Sequence, residues 1–292
     1  MPDFVLHAPV TLEEASQVLA GYGGEARAIA GGTALVLMVR QGLLRPPALV
    51  RLDRIAGLVS VAVQDGTLRI GALATLGAVH DAPLVQQQVP VLAGACGLVG
   101  NVRVRNAATL GGNVCEADYA SDPPAVLVAL DARLRIAGGR GTREAPVAEV
   151  IRDFYETTLA PDELATEVVV PIPEAGTRGV YLKFVTRSSE DRPCVGVAAV
   201  MRCGADGRIV DLRVAVGAVA GRPLRLPGIE ATAVGQQPSE ELFEHVASEY
   251  SAAADPVGDV RGSAAYRKEM IAVFVRRALR AAVAGEVGAR KV

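Results

Sequence analysis

Arg27-Ala28-Ile29-Ala30-Gly31-Gly32-Thr33-Ala34-Leu35-Val36-Leu37 is the stretch on which the fold of the amino-terminal region turns. A short β-like run over 27–30 ends in a double glycine, and an apolar helical run over about 33–41 follows. Glycine adopts positive φ without steric cost and lets other atoms approach the main chain closely. Upstream, residues 4–6 are apolar and extended. Thr11 stands three residues before Glu14, the spacing of a capping box, and Ala15, Val18 and Leu19 recur at helical spacing. Gly21, Gly23 and Gly24 stop that helix. Downstream, 48–52 reads as another strand. The β-α-β-α-β order predicts a small parallel α/β unit over about residues 1–56.

Beyond it the pattern changes. Val59, Val61 and Val63 alternate, Asp65-Gly66 signals a hairpin, and Leu68, Ile70 and Ala72 resume the alternation. Helices are expected over about 76–85 and 89–99, then an irregular segment over 101–114 and a helix over about 123–131. Strands at 134–137, 144–147 and 163–170 complete a first domain of residues 1–175, with a second subdomain over 57–175. Residues 180–186, 195–203 and 209–219 are three β-rich runs, with Asp206-Gly207 as a turn between the last two, and read as an antiparallel meander. Amphipathic helices over 239–253 and 263–283 close a second domain of residues 176–292.

A chain of 292 residues suits two domains and a large core without covalent staples. Half the residues are apolar and 21% are charged, which fits a soluble globular protein. There is no Trp, so packing rests on Val, Leu, Ala and Ile. A net charge of −2, with both signs interspersed, lacks the basic footprint of a nucleic-acid binder. The four cysteines form no C-x-x-C pair, so neither a zinc ribbon nor an iron–sulfur ligand set is expected, and their sparse use suits a reducing cytosol. No leader and no membrane span are expected, and the location expected is cytoplasmic.

Two glycine segments carry the chemistry: Ala30-Gly31-Gly32-Thr33-Ala34-Leu35, and Thr109-Leu110-Gly111-Gly112-Asn113 with Ser121-Asp122 after it. Neither fits G-x-G-x-x-G or G-x-x-x-x-G-K-[ST], which disfavours a Rossmann NAD site and a P-loop. Successive exposed N–H groups at such turns bind anions, so a pyrophosphate is expected between the two. Taken singly, each Gly-Gly reads first as loop punctuation. Spacing and composition reach an α/β protein with phosphate-binding turns.

Together, in this order and 80 residues apart from Gly31 to Gly111, the segments resemble the FAD-binding medium subunit of molybdenum hydroxylases, the xanthine dehydrogenase and carbon monoxide dehydrogenase family. An A-G-G-T-[DS]-L turn matches residues 30–35, R-N-x-x-T-[IL]-G-G-N matches 105–113, and D-x-x-P-A-L-L-A-L matches 122–130. Further matches are L-x-P-x-E-[LI] at 159–164, K-F-x-x-R at 183–187 and G-S-A-x-Y-R at 262–267. The resemblance implies an α+β fold. A PCMH-type, vanillyl-alcohol-oxidase-like FAD-binding domain of two α/β subdomains would precede a three-stranded antiparallel sheet with a helical bundle. That last part would be a CO dehydrogenase flavoprotein C-terminal-like domain. It implies FAD in this chain, and molybdopterin and two [2Fe–2S] clusters in a large and a small partner subunit, assembled as a dimer of heterotrimers.

By position, the resemblance puts Ala30, Gly31, Gly32, Thr33, Ala34 and Leu35 along the pyrophosphate, and Thr109, Gly111, Gly112 and Asn113 on the cofactor's second side. Ser121 and Asp122 match positions near its sugar and phosphate, and Lys183 a position near the isoalloxazine, where a cation favours the negatively charged reduced ring. Ala34 departs from the usual Asp or Ser. No side-chain nucleophile, general acid or metal ligand is expected here. A self-contained flavin oxidoreductase resembling UDP-sugar enolpyruvate reductase is the alternative, and a scaffold that binds nothing is a third.

Other residues read as structural. His7, His80 and His245 lack partners at ligand spacing, and Cys115 reads as a packed small residue. Glu116 and Asp118 are expected to point outward. Glu190, Asp191, Arg192 and Pro193 read first as a solvated turn, with a lid over the flavin ring as the sharper alternative. Arg276, Arg277 and Arg280 read first as a solvated stripe, with a docking face as the alternative.

Overall fold

Three sheets, each obeying a different pairing rule, organise the chain. The computed structural model describes residues 4–188 and 190–292. The first sheet is the parallel one that the β-α-β-α-β order predicts. β1 (Val5–His7), β2 (Arg27–Ile29) and β3 (Ala48–Arg51) lie in the order β1-β3-β2, with β3 parallel to both neighbours. α1 (Leu12–Gly21) and α2 (Leu35–Arg40) connect them. Thr11 Oγ1 accepts from the Glu14 N–H at 3.1 Å, and the Glu14 carboxylate accepts from the Val10 N–H at 3.0 Å, which fixes the start of α1. Ala15 and Leu19 of α1 pack with Ala48 and Val50 of β3 in a small core.

The second sheet is antiparallel. β4 (Val61–Gln64), β5 (Thr67–Gly71), β6 (Arg133–Gly138) and β7 (Gly141–Pro146) flank a central β10 (Leu164–Pro171) in the order β4-β5-β10-β6-β7. β8 (Ile151–Asp153) and β9 (Glu156–Thr157) form a separate ribbon. Asp65 and Gly66 both have positive φ, +49° and +70°, as the hairpin signal requires. The helix expected over 76–85 divides into α3 (Leu76–Asp81) and α4 (Pro83–Gln88), and α5 (Pro90–Gly97) follows. Pro83 forces Ala82 into extended backbone with ψ +119°, which ends α3.

Residues 101–114 are not irregular as expected; they hold α6 (Val102–Arg105) and α7 (Leu110–Glu116). Asn101 Oδ1 accepts from the Arg103 and Val104 N–H groups, and Thr109 Oγ1 from the Gly112 N–H. Side-chain caps sustain helices too short to show a hydrophobic period. α8 (Asp122–Ala129) and α9 (Val147–Val150) complete this part.

The third sheet departs from the three strands expected. β11 (Arg178–Phe184), β12 (Val195–Cys203) and β13 (Ile209–Gly217) form the antiparallel meander, and a fourth strand, β14 (Gly288–Lys291), adds to β11 in parallel. Gly-Ala-Arg-Lys has no strand pattern. Ladder bonds and packing against α5 hold it: a Cβ on Gly94 would lie 2.8 Å from Ala289. α10 (Pro227–Ala233), α11 (Glu240–Ala253) and α12 (Ala264–Val283) follow β13.

Both faces of this sheet are buried. Val195, Val197, Ala199 and Met201 of β12 face a core shared with α11 and α12. Ala198 and Val200, with Tyr181 and Ala215, face the core that holds α5 and α8. Strand side chains alternate with period two, so Lys183 emerges on the same face as Tyr181, toward α8. That alternation positions the site.

Candidate functional site

A cleft of about 670 Å³ opens among the three sheets. All thirteen residues named from sequence line it: Ala30 to Leu35, Thr109, Gly111, Gly112, Asn113, Ser121, Asp122 and Lys183. The volume falls in the roughly 300–1,000 Å³ range of small-molecule sites.

The two glycine turns meet. An added Cβ on Gly31 would lie 1.8 Å from the Ala107 carbonyl oxygen, so the first turn sits directly on the segment that leads into the second. Gly32 has φ +69°, which bends the chain sharply before α2. Among the described residues, the N–H groups of Gly31, Gly32, Thr33, Ala34 and Leu35 have no hydrogen-bond acceptor in the chain. Ala34 caps α2 with no side-chain bond. Consecutive free N–H groups around a left-handed residue form an anion-binding nest.

The expectation of successive exposed N–H groups at both turns is corrected at the second. The Leu110 N–H donates to Ala74 O and the Gly111 N–H to Ala72 O, both at 2.9 Å. The Gly112 N–H donates to Thr109 Oγ1 at 3.1 Å and the Asn113 N–H to Thr109 O at 2.9 Å. A Cβ on Gly111 would lie 2.5 Å from the Ala72 Cβ. These glycines let α7 press against β5's end rather than expose donors. What the second turn offers the cleft is side chains: Asn113 and Ser121 exchange hydrogen bonds at 2.7 and 3.0 Å.

Asp122 and Lys183 find each other. Lys183 Nζ donates to Asp122 Oδ2 at 2.7 Å and to Leu98 O at 2.9 Å, and the Tyr181 hydroxyl donates to Asp122 Oδ1 at 2.8 Å. Lys183 is only 1% exposed. Burial raises the Asp122 carboxyl above its ordinary value, against the pull of Lys183. Lys183 is therefore an ion-paired residue, which the sequence reading did not anticipate.

Glu116 and Asp118 line the cleft instead of pointing outward. Asp118 pairs with Arg192 at 2.8 Å and accepts from the Tyr155 hydroxyl at 3.4 Å. Burial, then the neighbouring Asp118, pushes the Glu116 carboxyl up to about 6. Glu190 accepts from the Asn101 side chain at 3.2 Å, so Glu190 and Arg192 tie their loop to two walls of the cleft. Burial pushes the Cys115 thiol up to about 12, which keeps it protonated and unreactive. On the first-sheet side Ile29, Leu37, Met38 and Leu44 give an apolar lining that sequence reasoning missed, since scattered aliphatics carry no motif. Tyr155 was missed for the same reason.

The remaining single residues stand apart from this site. His7 bonds Tyr22 Oη at 3.0 Å and His80 Nδ1 bonds Ala93 O at 2.8 Å. Arg276 and Arg280 pair with Glu244 and Glu240 of α11, and Arg277 lies over the Phe274 ring.

A small parallel α/β unit whose Gly-Gly turn lines a cleft and carries N–H groups unbonded among the described residues defines a class: an α+β protein suited to an anionic, dinucleotide-sized cofactor. Comparison with known proteins makes the class specific. Residues 2–173 match the family model of the FAD binding domain in molybdopterin dehydrogenase, and residues 180–282 that of the CO dehydrogenase flavoprotein C-terminal domain. The carbon monoxide dehydrogenase medium chain of Hydrogenophaga pseudoflava is 32% identical over 281 residues, covering 96% of this chain and 97% of the relative. The glyceraldehyde dehydrogenase medium chain of Sulfolobus acidocaldarius is 30% identical, with 96% and 98% covered. Among solved structures, carbon monoxide dehydrogenase from Hydrogenophaga pseudoflava superposes with a TM-score of 0.94 at 33% identity, covering 97% of this chain and 98% of that one. Quinoline 2-oxidoreductase from Pseudomonas putida 86 gives 0.90 at 30% identity, covering 97% and 98%. The chain belongs to the FAD-binding medium-subunit family of the molybdenum hydroxylases, and it is an oxidoreductase subunit.

The cleft fits FAD on its own terms. Five N–H groups unbonded among the described residues suit a diphosphate, and the aliphatic lining on the first-sheet side suits an apolar part of the cofactor away from Lys183.

Proposed function

We propose that this chain is the flavin-bearing electron-transfer subunit of a heterotrimeric molybdenum hydroxylase. Electrons would arrive from [2Fe–2S] clusters on a small partner subunit, after substrate oxidation at molybdopterin on a large one, and leave to an external acceptor. The assembly is a dimer of heterotrimers in the cytoplasm. No helix among the described residues is long and apolar enough to cross a membrane. The fold is read as a PCMH-type, vanillyl-alcohol-oxidase-like domain of two subdomains, 1–56 and 57–175, followed by residues 176–292.

Bound FAD supplies the chemistry, taking electrons one at a time and releasing two. The chain's own residues bind and orient. The N–H groups of Gly31 to Leu35 hold the diphosphate, and Asn113 and Ser121 face it from the other wall. The buried Lys183–Asp122 pair fixes the third sheet against α8 beside the ring end, and the tied loop from Glu190 to Arg192 controls access there.

The free N–H groups from Gly31 to Leu35 carry this reading. Its test is coexpression with candidate large and small subunits and affinity capture of this chain. A stable three-chain complex with one FAD per copy of this chain is expected. Capture of a lone chain that takes up no FAD would sink the reading.

A further inference from the structure

The Gly262-to-Arg267 sequence match is not used by the cleft itself, yet it helps to build a densely bonded charge cluster that reaches back to the first half of the chain. Arg267 is 0% exposed. Its guanidinium donates to Asp259 and to the Ala218 carbonyl, and Nε donates to Gly262 O at 3.4 Å. Asp259 also accepts from the Arg261 N–H at 2.8 Å, from Arg261 Nε at 2.9 Å and from the Tyr119 hydroxyl at 2.8 Å. Arg261 Nη2 in turn donates to Tyr119 Oη at 2.8 Å, and its guanidinium lies 5.6 Å from the centre of the Tyr119 ring.

Tyr119 belongs to the connector between α7 and α8. That connector carries Asp118, Ala120 and Ser121 into the cleft lining. It begins at Ala117, whose φ is +49°, and it meets Ala218, whose φ is +67°, through an Ala218 N–H bond to Tyr119 O at 3.0 Å. Left-handed backbone at a residue with a Cβ persists only where its surroundings hold it. Ala117 is held by bonds with Val114 and Tyr155, and at Ala218 the carbonyl is held by Arg267 of α12.

We propose that Tyr119, Asp259, Arg261 and Arg267 form a positioning clamp that sets the cleft wall carrying Asp118 and Ser121 for FAD. This rests on the reading that FAD occupies the cleft. The four residues do not touch that cleft themselves; they act through the connector. Burying a fully paired cation at this point gives the connector one geometry, because any shift leaves Arg267 or Asp259 short of a partner.

Tyr119→Phe is the decisive variant. It removes one hydroxyl and keeps the ring, whose contact with Phe154 has centroids 5.1 Å apart. FAD affinity of the isolated chain is read by flavin fluorescence, and the set of the bound ring by visible circular dichroism. The hydroxyl's two hydrogen bonds, to Asp259 and from Arg261, are both lost, and affinity is expected to fall about threefold to tenfold, with an altered dichroism band. Arg267→Lys keeps the charge but not the fork and is expected to retain more affinity than Arg267→Met. Arg280→Gln, on the same helix but paired outward to Glu240, is expected to bind as wild type. A Tyr119→Phe chain with wild-type affinity and dichroism overturns the clamp, whether or not its melting temperature drops. Gly31→Ala separates the two ideas. If it binds FAD as well as wild type, the cleft reading fails; if it loses FAD while Tyr119→Phe does not, only the clamp fails.

Discussion

The two turns share a Gly-Gly dipeptide and are opposites in the fold. Among the described residues, Gly31-Gly32 leaves a run of N–H groups without acceptors in a turn that lines the cleft. At Gly111-Gly112 every N–H from Leu110 to Asn113 is bonded within the chain. Both lack side chains because something comes close, but the neighbour differs. At Gly31 the neighbour is the backbone of Ala107, and the freed donors remain for a ligand; at Gly111 it is Ala72, part of the central core. A glycine pair therefore signals close approach. Whether it also signals binding depends on where its N–H groups point.

Adding one methyl group to each turn separates the roles most sharply. Gly31→Ala displaces the first turn from Ala107 and scatters its donors. Losing about three charge-assisted bonds is expected to weaken FAD about a thousandfold in the folded fraction, and because the added Cβ meets backbone at 1.8 Å the melting temperature of the apo chain is expected to fall as well. Gly111→Ala overpacks the core against Ala72, at a cost of about 1–3 kcal/mol and roughly 3–9 °C in melting temperature, while FAD affinity in the folded fraction changes less than tenfold. Fluorescence titration and calorimetry on both variants give the answer. Equal losses of affinity would return the second turn to the role of direct phosphate holder.

Lys183 tests the wall that neither turn supplies. Lys183→Met strands a buried carboxyl at Asp122 and is expected to cost about 3–5 kcal/mol in urea unfolding. Asp122→Asn in the same chain should restore at least half of that. A lone buried carboxyl takes up a proton, so the pair's net charge stays zero and the flavin midpoint potential is expected to hold near wild type. A large drop in potential would mean that the Lys183 charge reaches the ring unneutralised.

The pattern of legibility follows from which forces leave a sequence trace. The parallel unit, the Asp65-Gly66 hairpin and β11 to β13 were readable because period-two and period-3.6 burial write themselves into residue order. All thirteen cleft residues were readable only through paired motifs and the resemblance they carry. α6 and α7 were missed because caps at Asn101 and Thr109, not periodicity, sustain them. β14 was missed because a strand held by ladder bonds and a glycine-to-alanine contact needs no β-formers of its own. The inward turn of Glu116 and Asp118 was hidden for a further reason. Charged residues are read as solvated by default; for Asp118 tertiary contacts with Arg192 and Tyr155 reverse that, and Glu116 is carried into the lining by its place on α7.

The smallest effect comes from Glu116, at the end of the helix that the second turn begins. Its carboxyl titrates at about 6, above the ordinary 4.5, because burial disfavours its charge and Asp118 adds to that. A raised acid binds its proton more tightly when folded than unfolded, so stability falls as pH climbs from about 4.5 to 6 and stays lower above that window. Glu116→Gln removes the ionised form. At pH 8 the apo variant is expected to melt about 2–3 °C higher than wild type, from a full shift discounted to about 1 kcal/mol for the solvent-facing part of the side chain. At pH 4 both side chains are neutral, and the two melting temperatures should coincide. Calorimetry across that range decides it. A difference that stays constant from pH 4 to pH 8 would place Glu116 in water, and the second turn's helix would then bring no charge to the cleft.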